Sequence, residues 1–414
     1  MKYGCIGEHL KHSFSKEIHG LIADYDYVIR EIPRDGVDEF MKTADFLAIN
    51  VTIPYKETVI PYLDSIDKEA ELIGAVNTIV KRDGKLFGYN TDFFGMSMLA
   101  KMNGIDLKAK KVLILGTGGT SKTALAVAKS QGAREIIKVS RHPSADTISY
   151  DDMYSYHTDA DVIINTTPVG MYPNIFESPI DISAFNNLSG VLDAVYNPLS
   201  TKLISDAKRR GIPASGGLYM LVAQGVLASE HFLGTSYRES ICDEVYAKIL
   251  ADKKNIVLIG MPASGKSTVG HIIANELSRE FIDTDDLIVE YAGIPITEIF
   301  ARYGEEEFRR IEERVIMDVS SRSGVVIATG GGAILRSCNV DALKMNGDLY
   351  FIDRPLSALI PTSDRPTASS TADITKRYLE RIDIYRGSAD QIIPADIPAE
   401  SVARRIIESA YPLK

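Results

Sequence analysis

The sequence predicts an α/β protein, and three observations indicate this class. Short apolar runs that end in Gly or Ser recur along the chain, and each is followed by a stretch with helical periodicity. Some of these runs open glycine-rich loops that lead into helices, as strands of parallel sheets do. The composition of the 414 residues, 45% hydrophobic and 25% charged, is typical of folded globular domains.

Six of these runs are the clearest predicted strands. They are KKVLILG (110–116), EIIKVS (135–140), DVIINTT (161–167), NIVLIG (255–260), GVVIATGGG (324–332) and DLYFID (348–353). A helical stretch ends just before NIVLIG, so we predict the main domain boundary near residue 252. Each side of this boundary contains one glycine-rich strand-loop-helix unit, which predicts two separate nucleotide sites.

Charge and cysteine content exclude several classes of protein. The net charge is -10 and no long Lys/Arg run is present, so nucleic acid is not an expected partner. The three cysteines lie far apart without a zinc-binding pattern and are predicted to be reduced thiols. We find neither the apolar region of a secretory signal nor a membrane-spanning stretch, which predicts a cytoplasmic protein with no membrane partner. The oligomeric state stays open.

The N-terminal part contains a series of polar motifs. In order they are HSFS (12–15), NVTIPYK (50–56), GAVNT (74–78), YNTDFFG (89–95), NTTPVGM (165–171), DAVYNP (193–198) and GLYMLVAQG (217–225). Together they resemble the shikimate dehydrogenase family over roughly residues 1–235. The resemblance implies reduction of 3-dehydroshikimate to shikimate.

The resemblance also implies roles for single residues. Lys56 would donate and accept the proton that carbonyl reduction requires, with Asp92 beside it for orientation and charge balance. Ser13 and Ser15 would bind the substrate carboxylate. Hydroxyl-binding or site-lining residues would be Thr52, Asn77, Tyr196 and Gln224. Two alternatives stay open: Lys56 as a solvated loop lysine, and the two serines as caps of a helix that starts at Lys16.

The run KKVLILG continues into a glycine turn and a helix, which predicts a dinucleotide site. The residues expected to bind it are Gly116, Gly118, Gly119, Thr120, Ser140 and Arg141. Arg141 stands at the end of the next strand, where an NAD enzyme tends to have an acidic residue. A cation there suits a 2′-phosphate and favours NADP(H), although Arg141 as an exposed loop charge is an alternative.

The segment GMPASGKS (260–267) follows a predicted strand and precedes a helix, which is the context of a P-loop. The expected ATP-binding residues are Gly260, Ala263, Ser264, Gly265, Lys266, Ser267 and Thr268. Lys266 would reach the β/γ-phosphates and Ser267 would bind Mg²⁺. Asp283 and Asp285 stand at a predicted strand end, where one could assist Mg²⁺ and the other hold or deprotonate a hydroxyl. Helix capping is the alternative role for either aspartate.

Further motifs follow the P-loop: EEEFRRIEE (305–313), ATGGGAI (328–334), SDRPT (363–367) and YLERIDIY (378–385). In this order they resemble shikimate kinase over residues 255–400. The resemblance implies that Asp285, Arg309, Arg381 and the backbone of Gly330, Gly331 and Gly332 bind shikimate. The two arginines would take the shikimate carboxylate. Arg365 would be the transition-state cation, and solvated surface charge is the alternative for the other two arginines.

Two departures from the kinase pattern stand out. Ala263 replaces the usual glycine, a change that costs little if its φ angle is negative. The segment between Leu359 and Arg365 lacks a second basic residue, so the adenine or a phosphate would be held less tightly.

The predicted organisation is an α/β substrate domain over 1–92, completed by 218–250, a Rossmann NADP domain over 93–217, and a P-loop kinase domain with a parallel sheet over 253–414. The predicted function is NADPH-dependent reduction of 3-dehydroshikimate followed by phosphorylation of shikimate from MgATP. The alternatives are a quinate-active dehydrogenase and a degenerate or differently specific kinase half that acts as a sensor.

Overall fold

The computed structural model describes residues 1–10, 13–359 and 371–411. These residues form two compact units, Met1–Ile249 and Leu250–Lys414. Arg365, the predicted transition-state cation, lies outside the described residues. Across the described ranges, no helix combines the length and apolar character needed to cross a membrane.

The first unit begins with a six-stranded sheet. Its elements are β1 (Tyr3–Gly7), α1 (Ser15–Ile22), β2 (Tyr27–Glu31), α2 (Val37–Thr43), β3 (Ala48–Val51), β4 (Ser65–Ile66), α3 (Lys68–Ile73), β5 (Thr78–Arg82) and β6 (Lys85–Tyr89). The strand order is β2-β1-β3-β5-β6-β4. β1 is parallel to both of its neighbours, whereas β5 is antiparallel to β3 and β6.

This first sheet is therefore mixed, and none of the six clearest predicted strands belongs to it. Asp83 and Gly84, which join β5 to β6, have φ angles of 50° and 77°. Two successive residues with positive φ close a tight hairpin, and a hairpin makes its strands antiparallel. The Asp-Gly pair is the sequence signal for this turn.

A second sheet completes the strands of this unit. Its elements follow α4 (Thr91–Met102) and are β7 (Lys111–Leu115), α5 (Gly119–Ser130), β8 (Glu135–Val139), α6 (Tyr150–Tyr156), β9 (Val162–Asn165), β10 (Gly190–Asp193), α7 (Lys202–Arg209) and β11 (Ala214–Ser215). The strand order is β11-β10-β9-β7-β8, and every pair is parallel. The strands β7, β9 and β10 are buried along their whole length, which explains their unbroken apolar sequences.

Helix α8 (Leu218–Leu233) returns the chain to the first sheet, where it packs on α1 and α4 and contacts β3 and β5. Glycines permit the close approach. A Cβ at Gly95 on α4 would lie 2.6 Å from the carbonyl oxygen of Met220, and one at Gly225 would lie 3.2 Å from Ile18. Helix α9 (Ile241–Lys253) follows.

The second unit contains a five-stranded parallel sheet of order β13-β14-β12-β15-β16. Its elements are β12 (Asn255–Ile259), α10 (Lys266–Leu277), β13 (Phe281–Asp283), α11 (Thr284–Ala292), α12 (Ile296–Ser320), β14 (Val326–Ala328), α13 (Ser337–Asn346), β15 (Gly347–Asp353), α14 (Thr371–Ser388), β16 (Gln391–Pro394) and α15 (Ala399–Ala410). Helix α12 is interrupted at Gly304, where φ is 82° and ψ is 176°. Because all strands are parallel, their carboxyl ends share one edge, with the P-loop at its centre.

Candidate active sites

The Lys56–Asp92 pair is the most compact charged feature of the first unit. Lys56 follows β3, and Asp92 lies in the first turn of α4. The Lys56 Nζ donates to the Asp92 Oδ2 at 2.5 Å, and the two side chains are only 11% and 8% exposed. The alternative of a solvated loop lysine does not fit this burial. A lysine held against a carboxylate in a half-closed environment can donate a proton to one fixed position.

Amide side chains from two elements meet beside this pair. The Asn77 Nδ2 donates to the Thr91 Oγ1 at 3.0 Å and lies 3.4 Å from the Gln224 Oε1. The Asn77 Oδ1 accepts the amide of Thr91 at 2.8 Å. Thr52, half-buried, belongs to the same post-β3 loop as Lys56. The structure thus brings Asn77 and Gln224, 147 positions apart, into one polar cluster.

Ser13 and Ser15 stand at the start of α1. Their hydroxyl oxygens are 3.0 Å apart, and the Ser15 amide lies 3.3 Å from the Ser13 Oγ. The helix begins at Ser15 rather than at Lys16, and its N-cap residue Phe14 makes no side-chain capping bond. Neither serine is the N-cap residue, and the Ser13 Oγ accepts the amide of Ser15, the first residue of the helix.

Tyr196 follows β10 and reaches the same region. Its ring packs edge-on against that of Phe14, with 5.3 Å between centroids. Burial raises the pKa of Tyr196 to about 12. Its hydroxyl therefore stays protonated at neutral pH and can donate a hydrogen bond.

The glycine turn after β7 lies against Lys56. Gly116 has a φ of 108°, and a Cβ there would come within 2.8 Å of the Thr166 Oγ1. Gly118 is the N-cap of α5, and a Cβ at this position would meet no atom within 4 Å. A Cβ at Gly119 would lie 3.5 Å from the Cδ of Lys56. The turn thus leaves open space at a helix N-terminus beside the candidate proton donor, with Thr120 in the first helical turn.

Ser140 and Arg141 follow β8, whose carboxyl end adjoins that of β7. The Ser140 hydroxyl bonds to the backbone of His142, accepting its amide at 3.1 Å and donating to its carbonyl at 3.0 Å. Arg141 is exposed. Ser140 therefore shapes the turn, and Arg141 presents a cation at the same sheet edge as the glycine turn.

In the second unit, the P-loop joins β12 to α10. Lys266, 7% exposed, lies with its Nζ 3.0 Å from the carbonyl oxygens of Gly260 and Met261. Gly265 precedes α10 with a φ of 93°. Ser264 is buried in the loop, and Thr268 is exposed in the first turn of α10. The loop therefore curls around its own lysine, as a phosphate cradle requires.

The two predicted magnesium ligands are in contact. The Ser267 Oγ donates to the Asp283 Oδ2 at 2.7 Å. The Asp283 Oδ1 also accepts the amide of Asp285 at 3.0 Å and so caps α11. The capping bond and the contact with Ser267 use different oxygens of this carboxylate. Asp285 lies in the first turn of α11 rather than in the strand.

Ala263 does not meet the condition of a negative φ under which this change would cost little. Its φ is 63°, in the left-handed region that favours glycine. A residue with a Cβ is strained there by about 1 kcal/mol. The replacement of glycine by Ala263 therefore costs more than the sequence indicates.

A cavity of about 450 Å³ adjoins the P-loop on the β13 and β14 side. It brings together the residues predicted to bind the kinase substrate: Asp285, Arg309, Gly330, Gly331, Gly332 and Arg381. The predicted metal ligand Asp283 also lines it. Arg309 is 8% exposed and Arg381 5%, so the alternative of solvated surface charge does not fit.

The glycines of the GGG segment allow charged groups to approach the backbone. A Cβ at Gly332 would collide with the guanidinium of Arg309. A Cβ at Gly330 would lie 2.7 Å from the Asp285 Oδ1 and 2.9 Å from the Glu312 Oε1. A side chain at Gly330 or Gly332 would therefore displace the charged groups that line this cavity wall.

Arg381 is a buried cation without an acidic partner among the residues that the structure describes. Its Nη1 donates to the carbonyl oxygen of Gly331 at 2.8 Å. Burial lowers the pKa of the Arg381 guanidinium. A desolvated cation at the wall of a cavity is favourable only with an anionic ligand nearby.

Two residues of this site were not predicted. Glu312 is fully buried, accepts from the Arg309 Nη1 at 2.6 Å and has a pKa raised by burial. The Tyr385 Oη lies 2.9 Å from the Gly260 oxygen and 2.5 Å from that of Gly331. Each follows an arginine of the site by three or four residues, so helical spacing is the signal that would have found them.

Two family models match the chain. The model for the shikimate dehydrogenase substrate binding domain matches residues 5–79. The model for shikimate kinase matches residues 262–411.

Curated and solved proteins resemble the first part of the chain. A shikimate dehydrogenase (NADP(+)) of Clostridium beijerinckii is 35% identical over 243 residues, covering 55% of this chain and 90% of that protein. The crystal structure of shikimate dehydrogenase 1 from Peptoclostridium difficile has 37% identity and a TM-score of 0.56, and the match covers 60% and 98% of the two chains. Shikimate 5-dehydrogenase from Thermus thermophilus, in complex with NADP(H) and shikimate, has 28% identity and a TM-score of 0.54, over 60% and 99%.

Proposed function

We propose, since this chain belongs to the shikimate dehydrogenase family and carries a shikimate kinase domain, that it catalyses two consecutive reactions. Residues 1–250 reduce 3-dehydroshikimate to shikimate with NADPH. Residues 253–414 transfer the γ-phosphoryl group of ATP to shikimate. The product of the first reaction is the substrate of the second.

The buried Lys56–Asp92 pair carries the proposal for the first reaction. NADPH supplies a hydride when bound. Lys56 protonates the oxygen on which negative charge develops, and Asp92, 2.5 Å away, fixes the direction of the ammonium group. The carboxylate and hydroxyls of the substrate are held by Ser13, Ser15, Thr52, Asn77 and Gln224. The protonated hydroxyl of Tyr196 adds a hydrogen-bond donor.

The residues present fit an NADP(H) site. Gly118 leaves the α5 N-terminus open to the pyrophosphate, and Gly119 places that site beside Lys56. Arg141, exposed at the end of β8, offers a cation to the 2′-phosphate. NADP(H) is therefore preferred to NAD(H).

Arg381 carries the proposal for the second reaction, because it is a buried cation at the cavity wall that forms no ion pair with a described residue. Arg381 and Arg309 bind the carboxylate of shikimate, and Glu312 holds Arg309 in place through the 2.6 Å bond. Asp285, which also lines the cavity, accepts the proton of the attacking hydroxyl. The backbone at Gly331 and Gly332 closes the cavity around the ring.

The residues of the second unit also fit MgATP. Lys266 and the amides of the P-loop bind the phosphates. The 2.7 Å contact between Ser267 and Asp283 supports a role for both as ligands of Mg²⁺. The retention of these groups argues against a degenerate kinase. The strain at Ala263 is the observation that favours reduced nucleotide affinity.

The test is one incubation of purified full-length protein with 3-dehydroshikimate, NADPH and MgATP, with NADPH absorbance and ADP formation followed together. We expect ADP to form only after NADPH is oxidised, and at once when shikimate is added instead. NADPH oxidation without ADP formation from added shikimate would remove the kinase assignment. NADH in a parallel reaction checks the cofactor preference. We also propose the cytoplasm as the location, consistent with three free cysteines.

A further inference from the structure

Arg354 is a cation beside the P-loop with no assigned role. It follows the last residue of β15, and a Cβ at Gly265 would lie 3.7 Å from its Nη1. Its Nε is shielded from solvent and has no hydrogen-bond partner within the described part of the chain. A desolvated guanidinium donor that makes no bond in the protein indicates an acceptor supplied by a ligand.

The adjacent acid is not that acceptor. The carboxylate of Asp353 lies 3.5 Å from the Nη2 of Arg386 on α14, at ion-pair distance. In the ranges that the structure describes, Arg354 forms no ion pair. Its positive charge therefore remains to be compensated, although its guanidinium is partly withdrawn from water.

The strand order indicates which ligand reaches Arg354. β12, which leads into the P-loop, has β14 on one side and β15 on the other. The cavity with Asp285 and Arg381 opens on the β14 side, so the transferred phosphoryl end of a nucleotide points there. The remainder of the nucleotide then extends over the β15 side, where Arg354 stands.

We propose that Arg354 binds the non-transferred phosphates of the nucleotide through its guanidinium. The inference rests on the proposed function, because it takes the P-loop to bind ATP. A phosphate contact by Arg354 would also compensate for a difference from the kinase sequence pattern, because residues 359–364 lack its second basic residue. Arg354 supplies a cation from a strand end, a rigid position that loses little entropy on binding.

The test is calorimetric binding of MgADP to the full chain and its variants Arg354→Ala, Arg354→Lys and Arg322→Ala. Arg322 pairs with Glu280 and lies at the opposite end of the strands, where its carbonyl accepts from Asn255, so its loss is a matched change in charge. We expect Arg354→Ala to raise the Kd for MgADP by about ten- to hundredfold. Arg354→Lys should recover most of the affinity, and Arg322→Ala should leave it unchanged.

A second probe identifies the group that is bound. Magnesium tripolyphosphate should lose affinity for Arg354→Ala as MgADP does. Equal binding of MgADP to wild type and Arg354→Ala, or a loss confined to MgADP with tripolyphosphate unaffected, would overturn the inference. Thermal unfolding of each variant shows whether it is folded. Because MgADP binding needs no acceptor, wild-type binding without phosphorylation of shikimate would remove only the proposed reaction.

Discussion

At the residue scale, burial decides which charged side chains serve the two sites. Four of these side chains are at most 11% exposed: Lys56, Lys266, Arg309 and Arg381. Most lysines and arginines of globular proteins are instead solvated. Each of these four has a fixed partner or faces a cavity. The cost of withdrawing these charges from water is offset only where they meet an opposite charge or a ligand.

Asp92→Asn tests the pairing in the first site. An amide in place of the carboxylate keeps the shape but removes the charge that holds Lys56, so we expect kcat for dehydroshikimate reduction to fall by about ten- to hundredfold. Steady-state kinetics of NADPH oxidation measures it. Glu57→Gln is the matched control, because Glu57 pairs with Lys122 at the exposed side of the same loop. Unchanged kcat in Asp92→Asn would refute the role of this carboxylate.

Ala263→Gly tests the strain in the P-loop. Removing the Cβ relieves the positive-φ strain but adds freedom to the unfolded chain, so we expect a net stabilisation of the second unit by about 0.5 kcal/mol. The KM for ATP should fall at the same time. Urea unfolding and ATP kinetics on the full chain measure both. A lower stability in this variant would contradict the strain argument.

His19 predicts a pH dependence of stability. Its ring is fully buried against Tyr27, and burial lowers its pKa from 6.5 to about 3. Below pH 6.5 His19 is protonated in the unfolded chain and stays neutral in the folded chain. The free energy of unfolding should therefore fall by up to about 1.4 kcal/mol per pH unit between pH 6.5 and 3.

The measurement is urea unfolding of wild type and His19→Gln across this range. The difference between the two isolates His19, because other groups titrate in both proteins. The difference in unfolding free energy between wild type and His19→Gln should become smaller as the pH falls. The exposed His9 provides the control variant His9→Gln, and a pH-independent difference for His19→Gln would contradict the prediction.

At the element scale, the contact between α4 and α8 positions half of the first site. Asp92 and Thr91 begin α4, and Gln224 lies on α8. Gly95 sets the separation of the two helices, since a Cβ there would lie 2.6 Å from the Met220 oxygen and 3.1 Å from the Gln224 Cβ. The packing of these helices therefore sets the position of Gln224 relative to Asn77.

Gly95→Ala should separate the helices. We expect a loss of about 1–3 kcal/mol in unfolding free energy and a higher KM for dehydroshikimate, because Gln224 is displaced from Asn77. The control is Gly20→Ala on α1, where a Cβ meets no atom within 4 Å and a small stabilisation is expected. Unfolding curves and KM values are the measurements. Equal behaviour of the two variants would refute the close-packing argument.

At the scale of the whole molecule, the described residues of each proposed reaction lie within one compact unit. The Lys56 cluster lies in Met1–Ile249, and the P-loop cavity lies in Leu250–Lys414. The two chemistries should therefore be separable by mutation.

Lys56→Ala and Lys266→Ala test this separation in the full chain. The first variant should lose dehydroshikimate reduction and still form ADP from added shikimate, and the second should do the reverse. Separate assays of NADPH oxidation and ADP formation measure this. If one half were only a nucleotide sensor, the outcome would differ. Its lysine variant would change the rate of the other half's reaction, and no reaction of its own would be lost.

The sequence alone predicts the α/β class, the six clearest strands and the two nucleotide loops, because these depend on local patterns of apolar residues and glycines. It also contains every motif that places Lys56, Asp92, Lys266 and Arg309 in sites. It does not predict that the first sheet is mixed, although the Asp83–Gly84 signal is present, since pairing direction depends on which strands become neighbours.

Only the tertiary structure decided the remaining features. Ala263 adopts a positive φ because the loop must curl around Lys266, and Asn77 meets Gln224 because α8 returns to the first sheet. Arg381 forms no ion pair with a described residue. Arg354 lies beside Gly265 because β12, which leads into the P-loop, pairs with β15. The physical reason is the same throughout: burial and long-range contact follow from how elements pack, whereas sequence periodicity reports only on the element itself.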